Sequence, residues 1–101
     1  MRKEEIERQR VSAKISRSAL CHNMEAMRDS LPAGMRMAAV VKADGYGHGA
    51  AAVADAINPY VSFFCVATAE EALALRKHGV QKPVLILGPV SDAAYEDLVR
   101  A

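Results

Sequence analysis

Three stretches of the chain are apolar almost without a break: MRMAAVV (35–41), YVSFFCVA (60–67) and PVLILG (83–88). Each has the length of a strand, and each is followed by a helical pattern. A strand with one wet face alternates polar and apolar residues, whereas a strand covered on both faces is apolar throughout. Continuous runs separated by helices therefore predict parallel strands joined by right-handed crossovers. Pro83 suits the first position of the third run, where no interior hydrogen bond is lost.

The intervening segments carry helix signals. In SRSALCHNMEAMRDSLPAG (16–34), Leu20, Met24, Met27 and Leu31 recur on one face. Ser16 or Ser18 can cap the start, and Pro32 and Gly34 end it. GAAAVADAI (49–57) is stopped by Asn58-Pro59. In TAEEALALRKHG (68–79), Thr68 and Glu71 have capping-box spacing, and Gly79 suits the residue after the helix. SDAAYEDLVRA (91–101) reads as a last helix, with Asp92 in its first turn and Arg100 in its last. Ahead of all this, RVSAKIS (10–16) alternates in part and reads as a short exposed strand. MRKEEIERQR alternates its charges and reads as a solvated leader.

The expected fold is thus α/β, with three βα units plus an N-terminal strand and helix. Three parallel strands leave two open edges, and a closed barrel needs eight strands. The chain therefore reads as a piece of a larger fold rather than as a small open domain.

Composition narrows the function classes. A formal net charge of +1 over 101 residues gives no electrostatic case for a nucleic acid or an anionic membrane as partner. The N-terminus lacks the apolar run of a signal peptide, and no apolar stretch is long enough for a membrane span. Cys21 and Cys65 are two thiols rather than a disulfide scaffold, and a reducing cytoplasm is the simplest compartment.

The chemistry is concentrated in AVVKADGYGHGA (39–50). Lys42 stands at the carboxyl end of the first apolar run, where α/β folds gather catalytic groups. An amine held there and partly desolvated is a better nucleophile toward an aldehyde, and a better base afterwards. The same pattern also describes a snorkelling lysine with a structural stem, and the residues alone leave both open. Gly45, Gly47 and Gly49 permit close backbone approach to a ligand, and Tyr46 brings a phenolic donor suited to a phosphate oxygen or a ring to pack over the turn. His48 suits a loop hydrogen bond or a ligand contact, and Asp44 suits a loop cap or a partner for a neighbouring amine. A rival reading takes GYGHGA as G-x-G-x-x-A, with Glu70 or Glu71 placed for a ribose contact, in a small nucleotide-binding domain. That pattern wants the first glycine close to the strand end, yet Lys-Ala-Asp intervenes, and it gives Lys42 and Tyr46 nothing to do.

VVKADGYGHG (40–49) resembles the pyridoxal-phosphate segment of the alanine racemase family. KISRSALCHNMEAMR (14–28), VATAEEALALRKHGV (66–80) and KPVLILGP (82–89) are similar to the same family in the same order. The resemblance implies the N-terminal portion of a (β/α)8 TIM barrel, followed in the family by a mainly β domain. It divides the chain into a leader (1–10), a strand that joins the later β domain (11–16) and a partial cofactor-binding barrel (17–101). It implies that Lys42 holds pyridoxal 5'-phosphate as an internal aldimine, that Tyr46 hydrogen-bonds the cofactor phosphate, and that Leu85 lines the barrel near it. It further implies alanine as substrate, a homodimer, and a proton relay in which the lysine serves the D-alanine face. The opposite face is served by a tyrosine from the partner's C-terminal domain, so this chain by itself is expected to be inactive. A non-catalytic barrel piece that acts by joining its complement is the alternative from another class.

Overall fold

The computed structural model describes residues 16–46 and 49–101. The leader and the strand expected over 11–16 therefore lie outside the described residues, apart from Ser16. The chain builds α1 (Arg17–Ser30), β1 (Ala38–Val40), α2 (Ala50–Ile57), β2 (Phe63–Val66), α3 (Ala69–Lys77), β3 (Val84–Ile86) and α4 (Tyr95–Arg100). The three strands form one parallel sheet in the order β1-β2-β3, with Val40 opposite Cys65 and Cys65 opposite Leu85.

Helix boundaries follow the local chemistry. Ser16 caps α1 by accepting from the Ala19 N–H at 3.1 Å. Thr68 and Glu71 form the capping box at the start of α3. Pro59 lies in a 3-10 turn, Asn58–Tyr60, which shortens β2 relative to the apolar run that contains it. A second 3-10 turn, Asp92–Ala94, likewise delays the last helix to Tyr95.

The core lies between the sheet and its helices. Phe64, Val66, Leu75, Ala54 and Val41 are each 2% exposed or less. Burying a valine-, leucine- or phenylalanine-sized side chain stabilises the fold by about 1.5–3 kcal/mol relative to leaving it in water. Cys65 is buried, Cys21 is half-buried with its thiol donating to the Ala56 carbonyl, and both are free. Gly88 lets β3 leave close beside β2: its N–H donates to the Ala67 carbonyl at 3.1 Å, and a Cβ at this position would stand 2.5 Å from that oxygen.

Two expectations need correction. The apolar runs imply cover on both faces of the sheet, but among the described residues one face stays open, with Val40 42% and Leu85 51% exposed. Both crossovers run the same way along the sheet, so their helices share a face, and the other is covered only by further chain or by closure of the sheet. Similarly, Leu20 and Met24 of the α1 stripe pack into the core, whereas Met27 and Leu31 are exposed. The end of α1 borders an open apolar groove lined by Met24, Met27, Leu31, Met37 and Ala39 instead of a neighbouring helix.

Candidate active site

The carboxyl end of β1 runs directly into the lysine segment. The Val41 N–H still bonds the Cys65 carbonyl at 2.9 Å, so the ladder continues one residue past the strand. Val41 is buried against the helices and Ala39 packs on the same core. Strand alternation therefore sends Val40 and Lys42 toward the open face. Cys65 and Leu85 lie in register with Val40 on that face.

After Lys42 the backbone reverses its hand. Ala43 (φ 51°, ψ 47°), Asp44 (φ 53°, ψ 44°) and Gly45 (φ 66°, ψ 36°) form a left-handed turn within Lys42–Tyr46. Glycine enters this region freely, but a residue with a Cβ pays about 1–2 kcal/mol there. Hydrogen bonds offset the strain. The Gly45 N–H bonds the Val41 carbonyl at 2.9 Å, and the Gly49 N–H bonds the Asp44 carbonyl at 2.7 Å. The Asp44 carboxylate accepts from the Ala50 N–H at 2.8 Å and so caps α2 from outside the helix. The sequence assigned Asp44 a cap or an amine partner, and the cap is what forms.

Glu71 ties this turn to β2 and α3. One carboxylate oxygen accepts from the Ala67 and Thr68 N–H groups at 2.8 and 3.0 Å, and the other accepts from the Ala43 N–H at 2.6 Å. Burial pushes the Glu71 carboxyl up, but the N–H donors of Ala67, Ala43 and Thr68 outweigh it and hold the group below the usual range. A carboxylate so fully used by its own chain is poorly placed for the ribose contact of the nucleotide-binding alternative. Capping-box spacing identified Glu71 as a helix residue; its bond to Ala43, 28 residues away, carried no local signal.

Lys42 itself is half-buried, and among the described residues its amine has no hydrogen-bond or ion-pair partner. Tyr46 closes the turn; its side chain, with Gly47 and His48, lies outside the described residues. Leu85 stands two strands from Val40 across the open face. Of the remaining described tyrosines, one lies before β2 and the other on an outer helix. Tyr60 precedes β2 at the amino end of the sheet, where its hydroxyl donates to Glu25 at 2.7 Å. That bond, with burial and the Glu25 charge, pushes its phenol up to about 12. Tyr95 opens α4 and is 53% exposed.

Among the described residues no helix is long and apolar enough to cross a membrane. Residues 15–101 match the family described as alanine racemase, N-terminal domain. An alanine racemase of Streptococcus pyogenes serotype M5 is 43% identical over 76 residues, which are 75% of this chain and 21% of that protein. The alanine racemase structure from E. faecalis superposes with a TM-score of 0.74 at 45% identity, covering 84% of this chain and 23% of that one. The Clostridium difficile 630 alanine racemase superposes with a TM-score of 0.78 at 34% identity, covering 82% and 22%. The chain thus spans about a fifth of the length of the curated relatives it matches, and its parallel βα units are the first part of their TIM barrel. By the extent of that match the chain belongs to the alanine racemase family, within its N-terminal domain.

Proposed function

We propose that this chain forms the part of an alanine racemase that carries the cofactor lysine, with the Lys42 side-chain nitrogen holding pyridoxal phosphate. The wiring of Lys42 supports this most: a half-buried amine at the carboxyl end of a parallel strand, partnerless among the described residues, on a turn held against strain. The residues also fit the cofactor chemically, with an amine for its aldehyde and the exposed apolar side chains of Val40 and Leu85 for a flat ring. When bound, pyridoxal phosphate supplies an electron sink for the charge left on an amino acid's α-carbon after its proton departs.

Lys42 performs the chain's share of the remaining chemistry. Its nitrogen anchors the cofactor at rest. With the cofactor and substrate bound, the Lys42 amine would accept or return the α-proton on one face, that of D-alanine. Tyr46 donates its phenolic proton to the cofactor phosphate, and Leu85 forms part of the apolar wall. Alanine as substrate, a homodimeric enzyme in the cytoplasm and a strand over 11–16 joined to a later β domain belong to the same reading. Inversion needs a second base on the opposite face; Tyr60 lies before β2 at the amino end of the sheet and Tyr95 on an outer helix, and neither is assigned that role. A polypeptide of residues 1–101 alone is therefore expected not to racemise alanine, and measurable turnover by it would overturn that point.

The direct test uses the full-length protein. Cofactor should give the absorbance of a lysine-bound form, borohydride should fix it, and peptide mapping should find it on Lys42. Fixation on a different lysine would overturn the assignment. A second reading, a barrel piece that acts by joining its complement, draws support from the exposure of Val40, Leu85 and Leu87 and from the two edge strands. Mixing 1–101 with the rest of the chain separates the two, because restored cofactor binding and turnover favour the racemase.

A further inference from the structure

We propose that Glu71 is a positioning residue for Lys42, clamping with one carboxylate oxygen the turn that begins directly after the lysine. The inference rests on the reading of Lys42 as the cofactor lysine and adds to it a residue on another βα unit. The two oxygens of Glu71 do different work. Oε1 accepts from the Ala67 and Thr68 N–H groups and, at 3.4 Å, from the Thr68 hydroxyl. Those contacts are the capping box and its extension to the end of β2, and they suffice to explain a glutamate at this position of a helix. Oε2 does nothing for the helix. It accepts at 2.6 Å from the Ala43 N–H, the amide that joins Lys42 to Ala43.

That amide is where holding matters. Its plane sets ψ of Lys42 and φ of Ala43, and so the direction in which the lysine side chain leaves the backbone. Ala43 sits at φ 51°, where an alanine does not stay unaided. A charged acceptor makes the stronger kind of hydrogen bond. Glu71 is itself fixed at both the strand end and the helix start, so it is a rigid anchor. Because β1 and β2 pair directly, the clamp spans neighbouring βα units and keeps the lysine turn in register with the sheet. The capping box thereby couples the third helix to the lysine.

The experiment separates clamping from capping in the full-length holoenzyme. Glu71→Gln keeps one oxygen for the two donors at the helix start and turns an NH2 group toward the Ala43 N–H, so the clamp is lost and the cap retained. Thr68→Ala weakens the cap and keeps the clamp. Replacing the Lys42–Ala43 amide by an ester through semisynthesis removes the donor alone and serves even if the glutamine variant does not fold. Glu71→Gln and the ester are expected to slow borohydride-fixable cofactor loading at Lys42 about tenfold. They should lower kcat while leaving KM for alanine nearly unchanged. Glu71→Gln should also raise amide exchange at Ala43 about tenfold, with α3 exchange unaltered. Thr68→Ala should raise exchange in α3 and leave Lys42 loading as in the parent. Equal effects of Thr68→Ala and Glu71→Gln on loading, or none from the glutamine and ester variants, would overturn the inference. If the parent enzyme is not fixed at Lys42, the site assignment fails instead, and Ala43 exchange still decides whether Glu71 holds the turn.

Discussion

The sheet has a half-buried lysine at each end, and the two are wired in opposite ways. At the amino end, Lys82 donates to the carbonyls of Asn58 and Val61, while Arg76 donates to the carbonyls of Val80 and Lys82 at 3.0 and 2.7 Å. The cations there are spent on loop carbonyls, and the loops are fixed by them. At the carboxyl end the loop is fixed by carboxylates and backbone, through Asp44 and Glu71, and among the described residues the Lys42 amine takes no part. The same residue type, half-buried in both places, bonds loop carbonyls at one end and has no polar partner among the described residues at the other. What distinguishes them is whether the surrounding polar groups are already satisfied without the amine.

That contrast breaks most visibly at Lys42. Lys42→Ala in the full-length enzyme should abolish borohydride fixation of the cofactor and lower racemisation by about 10²–10⁴-fold or more. In the cofactor-free protein it should move unfolding stability by no more than about 0.5 kcal/mol, since no hydrogen bond or ion pair among the described residues is lost. Lys82→Met should do the reverse. Two loop carbonyls lose their donor, costing about 1–3 kcal/mol in urea unfolding, with cofactor loading at Lys42 intact. A Lys82 variant that loses loading at parental stability would erase the distinction between the two ends. Gly45→Ala sharpens the comparison from the backbone side. At φ 66°, with Ala50 backbone atoms 3.4 Å from the new Cβ, it should cost about 1–2 kcal/mol and slow loading at Lys42 severalfold. An equal cost without any effect on loading would mean that the turn does not aim the lysine.

The amino acid sequence makes the order of elements legible, because each depends on neighbours within a few residues. Three apolar runs became three paired strands; Ser16, Thr68 and Glu71 became caps; Asn58-Pro59 ended a helix. Lys42 stood out by its position after a strand and before glycines. Features that depend on distant partners were not legible. The left-handed turn falls on Ala43 and Asp44 as well as on Gly45, and what holds Ala43 there is a glutamate from another unit. Lys82 looked like an ordinary residue before a strand, because its acceptors lie 24 and 21 residues earlier. Gly88 carried no signal either, since the Ala67 carbonyl that excludes a side chain belongs to the adjacent strand's exit. The exposed half of the α1 stripe and the bare face of Leu85 are read correctly as apolar, but what covers them is not legible. Hydrophobicity says that a face prefers burial without saying which part of a chain buries it.

The smallest expected effect is one of pH, and it too should divide the ends. The Glu71 carboxyl is held below its ordinary value of 4.5 when folded. A depressed carboxyl contributes its full stability above the unfolded value and loses it as pH falls through the folded one. Acid should therefore loosen the Lys42 end, whereas the amino end is held by donors to backbone carbonyls and not by a carboxylate. Asp44 and His78 line the same cleft as Glu71, so the measurement compares the parent with Glu71→Gln, which leaves both in place. The parent's excess stability over the variant should be constant above about pH 5 and shrink below it, toward zero once Glu71 is protonated. Over the same range, exchange protection at Ala43 should fall in the parent relative to that at the Lys82 end, and stay flat in the variant. Parallel loss of protection at both ends would mean that acid acts on the domain as a whole, and that the carboxylate clamp is not a separate element of the fold.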